Sequence, residues 1–590
     1  MTAQSSKITP AKRQAAVRKG TTGPRKNSKT GCRTCKIRRV RCDELRPACY
    51  RCVSTGRVCD GYGIWGGGGN AYGTAERLAN IQAAQYARPQ EEAALDFFRH
   101  KTSTKMPGVF RSNFWDTLVF QASFREPAVL HAVIALAATH KRSTYLGNGQ
   151  YNKAIRHLRH HLEKKEDAYS LRVALISCMV FLCLDLLKGQ FVTGRAHLQG
   201  GLQLLQELQE RNGVHASFDN KSSSPNGSDR EQAVISVRRP ESVDDHLVEA
   251  FTRLNVQSAL FGQGSEYLYQ IGQNDNCGQQ YKIPAVFDSL NTARRHLDIL
   301  LNGVHLLSVQ VSTTSVSSDL VRRKEHLQSS LVEWFTAFQS SLPKLSAGRT
   351  GAEQQRAYLG LPLLRLYHIM ATIICATCLR ESDETVFDSY TADFATILEQ
   401  ASDLWRRVAR VMRLPTTAGG SGGCFLTPHP YGGGVDISFT VDMGFIPPLY
   451  YLALKCRVPK FRRYAIRFLE AAPHREGVWD GNVAAAVARR IMDVEEDGFY
   501  SGLCSSLDGH VDDYLGLCTG DRRLKGDDVP LVPGGRRIGK DVAVRLPERL
   551  GDGRVEIAYY MPGARSWYNG GGGDHEEGDG RWVTETVCVG

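Results

Sequence analysis

The sequence predicts a small metal-stabilised domain followed by a large all-α domain, with a disordered basic N-terminal arm and a glycine-rich linker. Three observations predict it. Six cysteines between residues 32 and 59 fall into two equal C-x2-C-x6-C units, the second starting seventeen residues after the first. The net charge of +13 sits entirely on residues 1–60, which carry 16 Lys and Arg against 3 Asp and Glu; over the other 530 residues the charges cancel. From about Glu91 to Glu496 the apolar residues recur at the spacing of helices that bury one face.

Residues 1–31 hold eight Lys or Arg, no acid and no hydrophobic periodicity, so they read as a disordered basic arm. Such an arm adds nonspecific phosphate contacts, and "PRKNSK" (Pro24 to Lys29) is its candidate nuclear-import element. The N-terminus lacks the apolar segment of a secretory signal. The most apolar run, "ALISCMVFLCLDLL" from Ala174, reads as too short to span a bilayer and contains Asp185. The expectation is a soluble, intracellular protein with reduced thiols and no membrane partner. There, a tight cysteine pattern binds metal more often than it forms disulfides.

Residues 32–60 form the metal-binding segment. Structural zinc takes four ligands in a tetrahedron. Six cysteines either complete one site with two to spare or fill two sites that share ligands. The repeated half-pattern favours sharing: two Zn2+ held by Cys32, Cys35, Cys42, Cys49, Cys52 and Cys59, with Cys32 and Cys49, the equivalent first cysteines, as bridges. So short a segment has almost no apolar core, and metal binding should supply most of its folding free energy. Between their second and third cysteines the halves differ. The first reads "KIRRVR" (Lys36 to Arg41), with four basic residues in six; the second reads "VSTGRV" (Val53 to Val58), with one. Only the first half is charged to approach phosphate.

These residues closely resemble the fungal Zn2Cys6 binuclear cluster, the DNA-binding module of a large class of fungal transcription factors. The resemblance covers the six cysteines, their spacing, the basic run after Cys35, and Pro47 between the halves. It implies two short helices around two zincs, the first pointing its C-terminal end into the major groove of double-stranded DNA at a CGG-like triplet. By position, Arg38 and Arg39 fall where base edges are contacted, and Lys36 and Arg41 where phosphates are gripped. Arg39 stands where the family often has lysine; an arginine there can take guanine O6 and N7 bidentately. The resemblance also implies a nuclear regulator of RNA polymerase II transcription that meets the transcription machinery or co-regulators.

Residues 61–90 read as a flexible linker, opening on the glycine-rich "GYGIWGGGGNAYG". Its one coiled-coil candidate, "TAERLANIQAAQYA" (Thr74 to Ala87), offers Leu78 and Ile81 but then Gln85 at the next seam position. Two turns with a polar break are too little for a stable isolated dimer. A 1–90 fragment should be monomeric, with any homodimer formed through the helical domain.

Residues 91–530 read as that all-helical domain. "EPAVLHAVIALAATHKR" opens with Pro127 in a first turn. Amphipathic runs follow at "YNKAIRHLRHHLEKKED", "FVTGRAHLQGGLQLLQELQER", "DLVRRKEHLQSSLVEWFTAFQSSL", "LPLLRLYHIMATIICATCLR", "FATILEQASDLWRRVARVMR" and "VAAAVARRIMDVEE". Loops are expected from Asn212 and from Leu414. The pieces "ALDFFRHKTSTKMPGVF", "FWDTLVFQASFREPAVLHAVIALAATHK" and "APHREGVWDG" resemble the helical regulatory domain that accompanies fungal cluster proteins. Residues 531–590, rich in Gly and Arg with β-like runs such as "VEIAYYM", read as a poorly ordered or weakly paired tail.

Other motifs read as structural. Cys375 and Cys378 sit inside an apolar helix and read as core thiols. His157 and His161, at i and i+4, sit among Arg156, Arg159 and Lys164 and read as a solvated face. The glycine runs at Gly66 and Gly432 lack the strand–loop–helix setting of a phosphate loop. No catalytic constellation stands out, so an enzyme carried by the helical region ranks below a regulator. A zinc-dependent protein or RNA interaction module ranks lower too, because the cluster offers only Tyr50 for base stacking.

Overall fold

Proline, aspartate and glycine set the limits of two central helices. Pro127 stands in the first turn of its helix, where a missing N–H costs nothing, and Glu126 before it is held extended at φ −113°, ψ 111°. The long helix that starts at Ala168 is capped by Asp167, whose Oδ1 accepts the Ser170 N–H at 2.8 Å. It ends at Gly189, left-handed at φ 75°. The computed structural model describes residues 35, 40–43, 51 and, with internal breaks, 89–496, together with 548–549, 554–561 and 581–588. The chain divides into two units, Met1–Leu78 and Ala79–Gly590.

In the larger unit, α1 (Pro89–Phe97) runs into a π-helical turn, Phe98–Thr102, and then a single α turn, Ser103–Lys105. A second π turn, Phe114–Leu118, leads into α2 (Val119–Arg125). Next come α3 (Pro127–His140), α4 (Thr144–Leu162), α5 (Ala168–Lys188) and α6 (Phe191–Arg211). Of the fourteen residues of α3, twelve are buried, so this alanine-rich helix is enclosed by α2, α4 and α5. α7 (Val243–Leu260) packs on α6 at Gly201, where a Cβ would lie 2.2 Å from the Phe251 ring. Only glycine lets that ring reach the neighbouring backbone.

A second group comprises α8 (Leu290–Thr313), α9 (Ser318–Ser346), α10 (Gly351–Thr377) and α11 (Thr391–Arg413). Its centre is Trp334 of α9, fully buried, which donates Nε1–H to the Ala293 carbonyl at 2.8 Å and stacks on His368 with centroids 5.3 Å apart. α12 (Ile446–Lys455), α13 (Pro459–Ala471) and α14 (Gly481–Glu496) pack on one another and complete the domain.

Short strands punctuate the helices. β1 (Val234–Val237) pairs in parallel with β2 (Gln270–Gln273). β3 (Phe439–Thr440) pairs in parallel with β4 (Arg475–Glu476), which turns through Gly477 at φ 60° into antiparallel β5 (Trp479–Asp480). Beyond α14, β6 (Glu548–Arg549), β7 (Arg554–Met561) and β8 (Arg581–Cys588) form an antiparallel sheet. β7 and β8 pair over eight residues each, and Arg490 of α14 grips Glu585 of β8 through two bonds of 2.6 and 2.9 Å.

Every amphipathic run expected from the sequence falls on a helix, and α7, α8, α12 and α13 are helices besides. The loops expected at 212 and 414, the arm 1–31 and the linker up to residue 88 lie outside the described residues. One reading needs correction. α5 extends beyond the apolar run from Ala174, and it and the Glu353–Thr377 part of α10 are long and apolar enough to cross a membrane. What distinguishes α5 is its surroundings, since 94% of its apolar window is buried inside the fold.

Candidate metal centre and nucleic-acid interface

Of the six cluster cysteines the described residues include two. Cys35 is helical and 1% exposed, and Cys42 is 5% exposed. The Cys35 carbonyl accepts the Val40 N–H at 3.0 Å, the six-to-one bond with which helices commonly close. Arg41 and Asp43, on either side of Cys42, are exposed, so the chain passes a thiol inward between two charges turned outward. Asp43 Oδ2 in turn accepts the backbone N–H of Arg51 at 2.8 Å. Two thiols buried in so short a segment are the donor type and setting that zinc requires, and they fit the ion. Cys32, Cys49, Cys52 and Cys59, with Lys36, Arg38 and Arg39, lie outside the described residues. Among the described residues no group of three or more His, Cys, Asp or Glu is arranged to hold a metal.

Cys375, buried, donates to the Lys324 carbonyl at 3.8 Å, and burial pushes its thiol up to about 12. That is the core thiol expected. Of the three histidines of α4, the two singled out above both have partners. His157 is exposed, but it stacks on His131 of α3 with centroids 5.1 Å apart. His161 lies 3.3 Å from Glu126, an acidic partner supplied from 35 residues upstream, which sequence spacing could not reveal.

The helical domain carries a buried charge network that no sequence pattern announced. Asp442 receives Arg294 Nη1 of α8 at 2.6 Å and Arg253 Nη1 of α7 at 3.4 Å. Arg253 also reaches Glu249 at 2.9 Å, and Arg294 reaches Asp298 at 3.2 Å. Burial, the largest single influence, would raise the Glu249 carboxyl, but the charges of Arg253 and Arg295 and the hydrogen bond from His246 together outweigh it and hold the group at about 2. Burial dominates at Asp298 and raises it despite Arg294. Close by, the fully buried Glu476 accepts the N–H groups of Gly444, Phe445 and Ile446 at 2.8, 3.1 and 3.1 Å. It neutralises the opening turn of α12. "REGVWDG", quoted above for its resemblance, is thus the hairpin that delivers Glu476.

Comparison with known proteins agrees with this arrangement. The fungal Zn(2)-Cys(6) binuclear cluster domain matches residues 30–64, which identifies a zinc-binding, DNA-binding module. The fungal specific transcription factor domain matches residues 94–407. The chain is 23% identical over 571 residues to the aspercryptin biosynthesis cluster-specific transcription regulator atnN of Emericella nidulans, covering 80% of this chain and 87% of that protein. It is 33% identical over 140 residues to the Zn(2)-C6 fungal-type transcription factor afumD of Aspergillus fumigatus, 22% of this chain and 38% of that protein. Over 42 residues it is 48% identical to a lysine biosynthesis regulatory protein of Saccharomyces cerevisiae, 7% of this chain and 5% of that one. No solved structure matches. These relatives are regulators of transcription and not enzymes, and the chain belongs to the fungal Zn2Cys6 transcription-factor family.

Proposed function

We propose that the protein is a nuclear, sequence-specific regulator of RNA polymerase II transcription that reads CGG-like sites in the major groove. Residues 32–60 hold two Zn2+ through Cys32, Cys35, Cys42, Cys49, Cys52 and Cys59, with Cys32 and Cys49 shared. Arg38 and Arg39 meet base edges while Lys36 and Arg41 grip phosphates. The observation that carries this reading is the buried pair Cys35 and Cys42 bracketing the run that ends in exposed Arg41. Thiols turned inward and guanidiniums turned outward on one segment give a metal core with a cationic face. The zinc supplies the fold of that segment, and the side chains supply the recognition.

Residues 1–31 serve as a basic arm, 61–90 as a linker, 91–530 as the regulatory domain and 531–590 as a tail. Any homodimer forms through the helical domain, which also meets co-regulators. Sequencing the DNA that purified protein selects from a random pool tests the reading. Recovery of a CGG-like triplet, lost when a strong chelator removes zinc, is the expected outcome. Selection of unrelated sequences, or selection that survives chelation, would refute it.

A further inference from the structure

A further C-x2-C lies where α10 ends. Cys375 is fully buried and Cys378, three residues on, is half-buried. Cys378 still donates its backbone N–H to the Ile374 carbonyl at 3.0 Å, so helical spacing holds across the pair. Residues three apart on a helix share a face, with Cβ atoms about 5–6 Å from each other. Here that face is turned to α9. Cys375 Sγ lies 3.8 Å from the Lys324 carbonyl, and Cys378 packs with Leu327 against Leu307, Val311 and Leu320. The Lys324 side chain folds over the same turn, its Nζ donating to the Ala376 carbonyl at 2.8 Å. Charges on Cys378 and on Lys324 are both felt at Cys375.

Geometry and charge narrow what such a pair can do. A disulfide needs Cβ atoms about 3.5–4.5 Å apart, closer than an intact helix brings residues three apart. Zinc needs four ligands, and among the described residues no third His, Cys, Asp or Glu joins the pair. A soft monovalent ion such as Cu+ favours thiolates and is satisfied by two of them in line. With metal–sulfur bonds of about 2.3 Å, the two sulfurs of such a unit stand about 4.6 Å apart, within reach of side chains rooted at this helical spacing. Two thiolates around Cu+ carry one net negative charge, which is costly out of water and at the negative end of a helix. The Lys324 ammonium offsets it. A divalent ion between the same thiolates would be neutral already and would leave the lysine uncompensated.

We propose that Cys375 and Cys378 bind one cuprous ion in line between their sulfurs, with Lys324 as its counter-charge. Binding replaces two S–H bonds by two S–Cu bonds, releases both protons to solvent and transfers no electron. The half-buried Cys378 is the point of entry. Occupancy gathers the end of α10 and Lys324 of α9 around one ion, and the site uses none of the residues assigned to DNA.

The test follows alkylation of Cys378 by iodoacetamide, resolved by peptide mass spectrometry, in full-length zinc-loaded protein under anaerobic conditions. Mapping by peptide separates this pair from the six cysteines of residues 32–59. Cu+, buffered by bicinchoninate, is expected to slow alkylation of Cys378 by about tenfold or more, whereas Zn2+ leaves it unchanged. Cys375→Ser keeps Cys378 but removes its partner, so protection should vanish. Lys324→Met keeps the aliphatic stem and removes the charge, so protection should require about tenfold or more free Cu+. Alkylation at the same rate with and without Cu+, equal protection by Zn2+, protection that persists in a folded Cys375→Ser variant, or an unchanged copper requirement in Lys324→Met would each overturn the proposal. If Cys375→Ser fails to fold, the comparison of Cu+ with Zn2+ on the wild-type protein decides the question.

Discussion

Asp43 and Arg51 are joined by a hydrogen bond from a backbone amide to a carboxylate, 2.8 Å long. Asp43 follows Cys42 directly and Arg51 stands between Cys49 and Cys52, so the bond connects the two cysteine-bearing halves without passing through metal. At an exposed position such a bond contributes about 0.5–1 kcal/mol. Asp43→Ala should therefore release zinc to a competing chelator at a several-fold lower chelator concentration than wild type. Asp43→Asn keeps an acceptor oxygen and should fall close to wild type. Identical zinc retention in Asp43→Ala and wild type would show that the metals alone hold the halves together.

The asymmetry between "KIRRVR" and "VSTGRV" predicts a division of labour on DNA. Arg39→Ala should lose about 1–3 kcal/mol on the preferred site and relax preference at one base. Lys36→Ala and Arg41→Ala should weaken all sequences alike and lower the salt slope by about one unit each. Arg57→Ala should matter least. Binding to specific and random duplexes across a salt series separates these cases. Relaxed base preference in Arg57→Ala with none in Arg39→Ala would assign reading to the second half.

Glu476 accepts three backbone N–H groups at the start of α12. In Glu476→Gln an amide NH2 replaces one of the accepting oxygens and must face donors. Thermal unfolding should show a loss of about 1–3 kcal/mol, the cost of buried polar groups left unsatisfied. Gly444→Ala should be at least as harmful, because a Cβ there would lie 2.1 Å from Glu476 Oε1. Near-native stability in both variants would mean that α12 does not depend on this carboxylate.

Acid should unfold the helical domain in two windows. His368 donates Nε2–H to the Leu331 carbonyl at 3.0 Å, and burial among aromatic rings lowers its pKa to about 4. The unfolded chain binds that proton near pH 6.5, so the contribution is complete above that pH and is lost as pH falls towards 4. Glu249, held at about 2 against an unfolded value near 4.3, contributes stability that is complete above pH 4.3 and is lost as pH falls from there towards 2. Denaturation followed between pH 7 and 2 should show a smaller upper window in His368→Phe, the rest belonging to His305, whose pKa burial likewise lowers to about 4, and a smaller lower window in Glu249→Gln. Profiles parallel to wild type would exclude these two groups as the source.

How much of this was legible in the sequence depends on the range of the interaction. The cysteine spacing, the basic first half and the helices with clean apolar stripes are local patterns, and they could be read residue by residue. α12 and α13 are helical as well, but the two prolines that open α12 and the three arginines within α13 hid the stripe until their neighbours were in place. The meeting of Arg253 and Arg294 with Asp442 spans 189 and 148 residues, and charges so far apart leave no periodic mark. The same holds for His161, whose carboxylate comes from the turn before α3. The π turns escaped for a different reason, since a helix widened by one residue still looks like a helix in composition.

The reach of Asp442 back to α7 and α8 bears on modularity. The recognisable family segment ends at residue 407, but the counter-charge for two guanidiniums inside it arrives 35 residues later. A chain cut after α11 would keep Arg253 and Arg294 and lose their shared carboxylate. A buried ion pair deprived of one partner costs about 3–5 kcal/mol, a large share of the ~5–15 kcal/mol by which a typical domain is stable. The segment matched by the family domain is therefore shorter than the unit whose buried charges are complete. The second extends at least to the hairpin that carries Glu476.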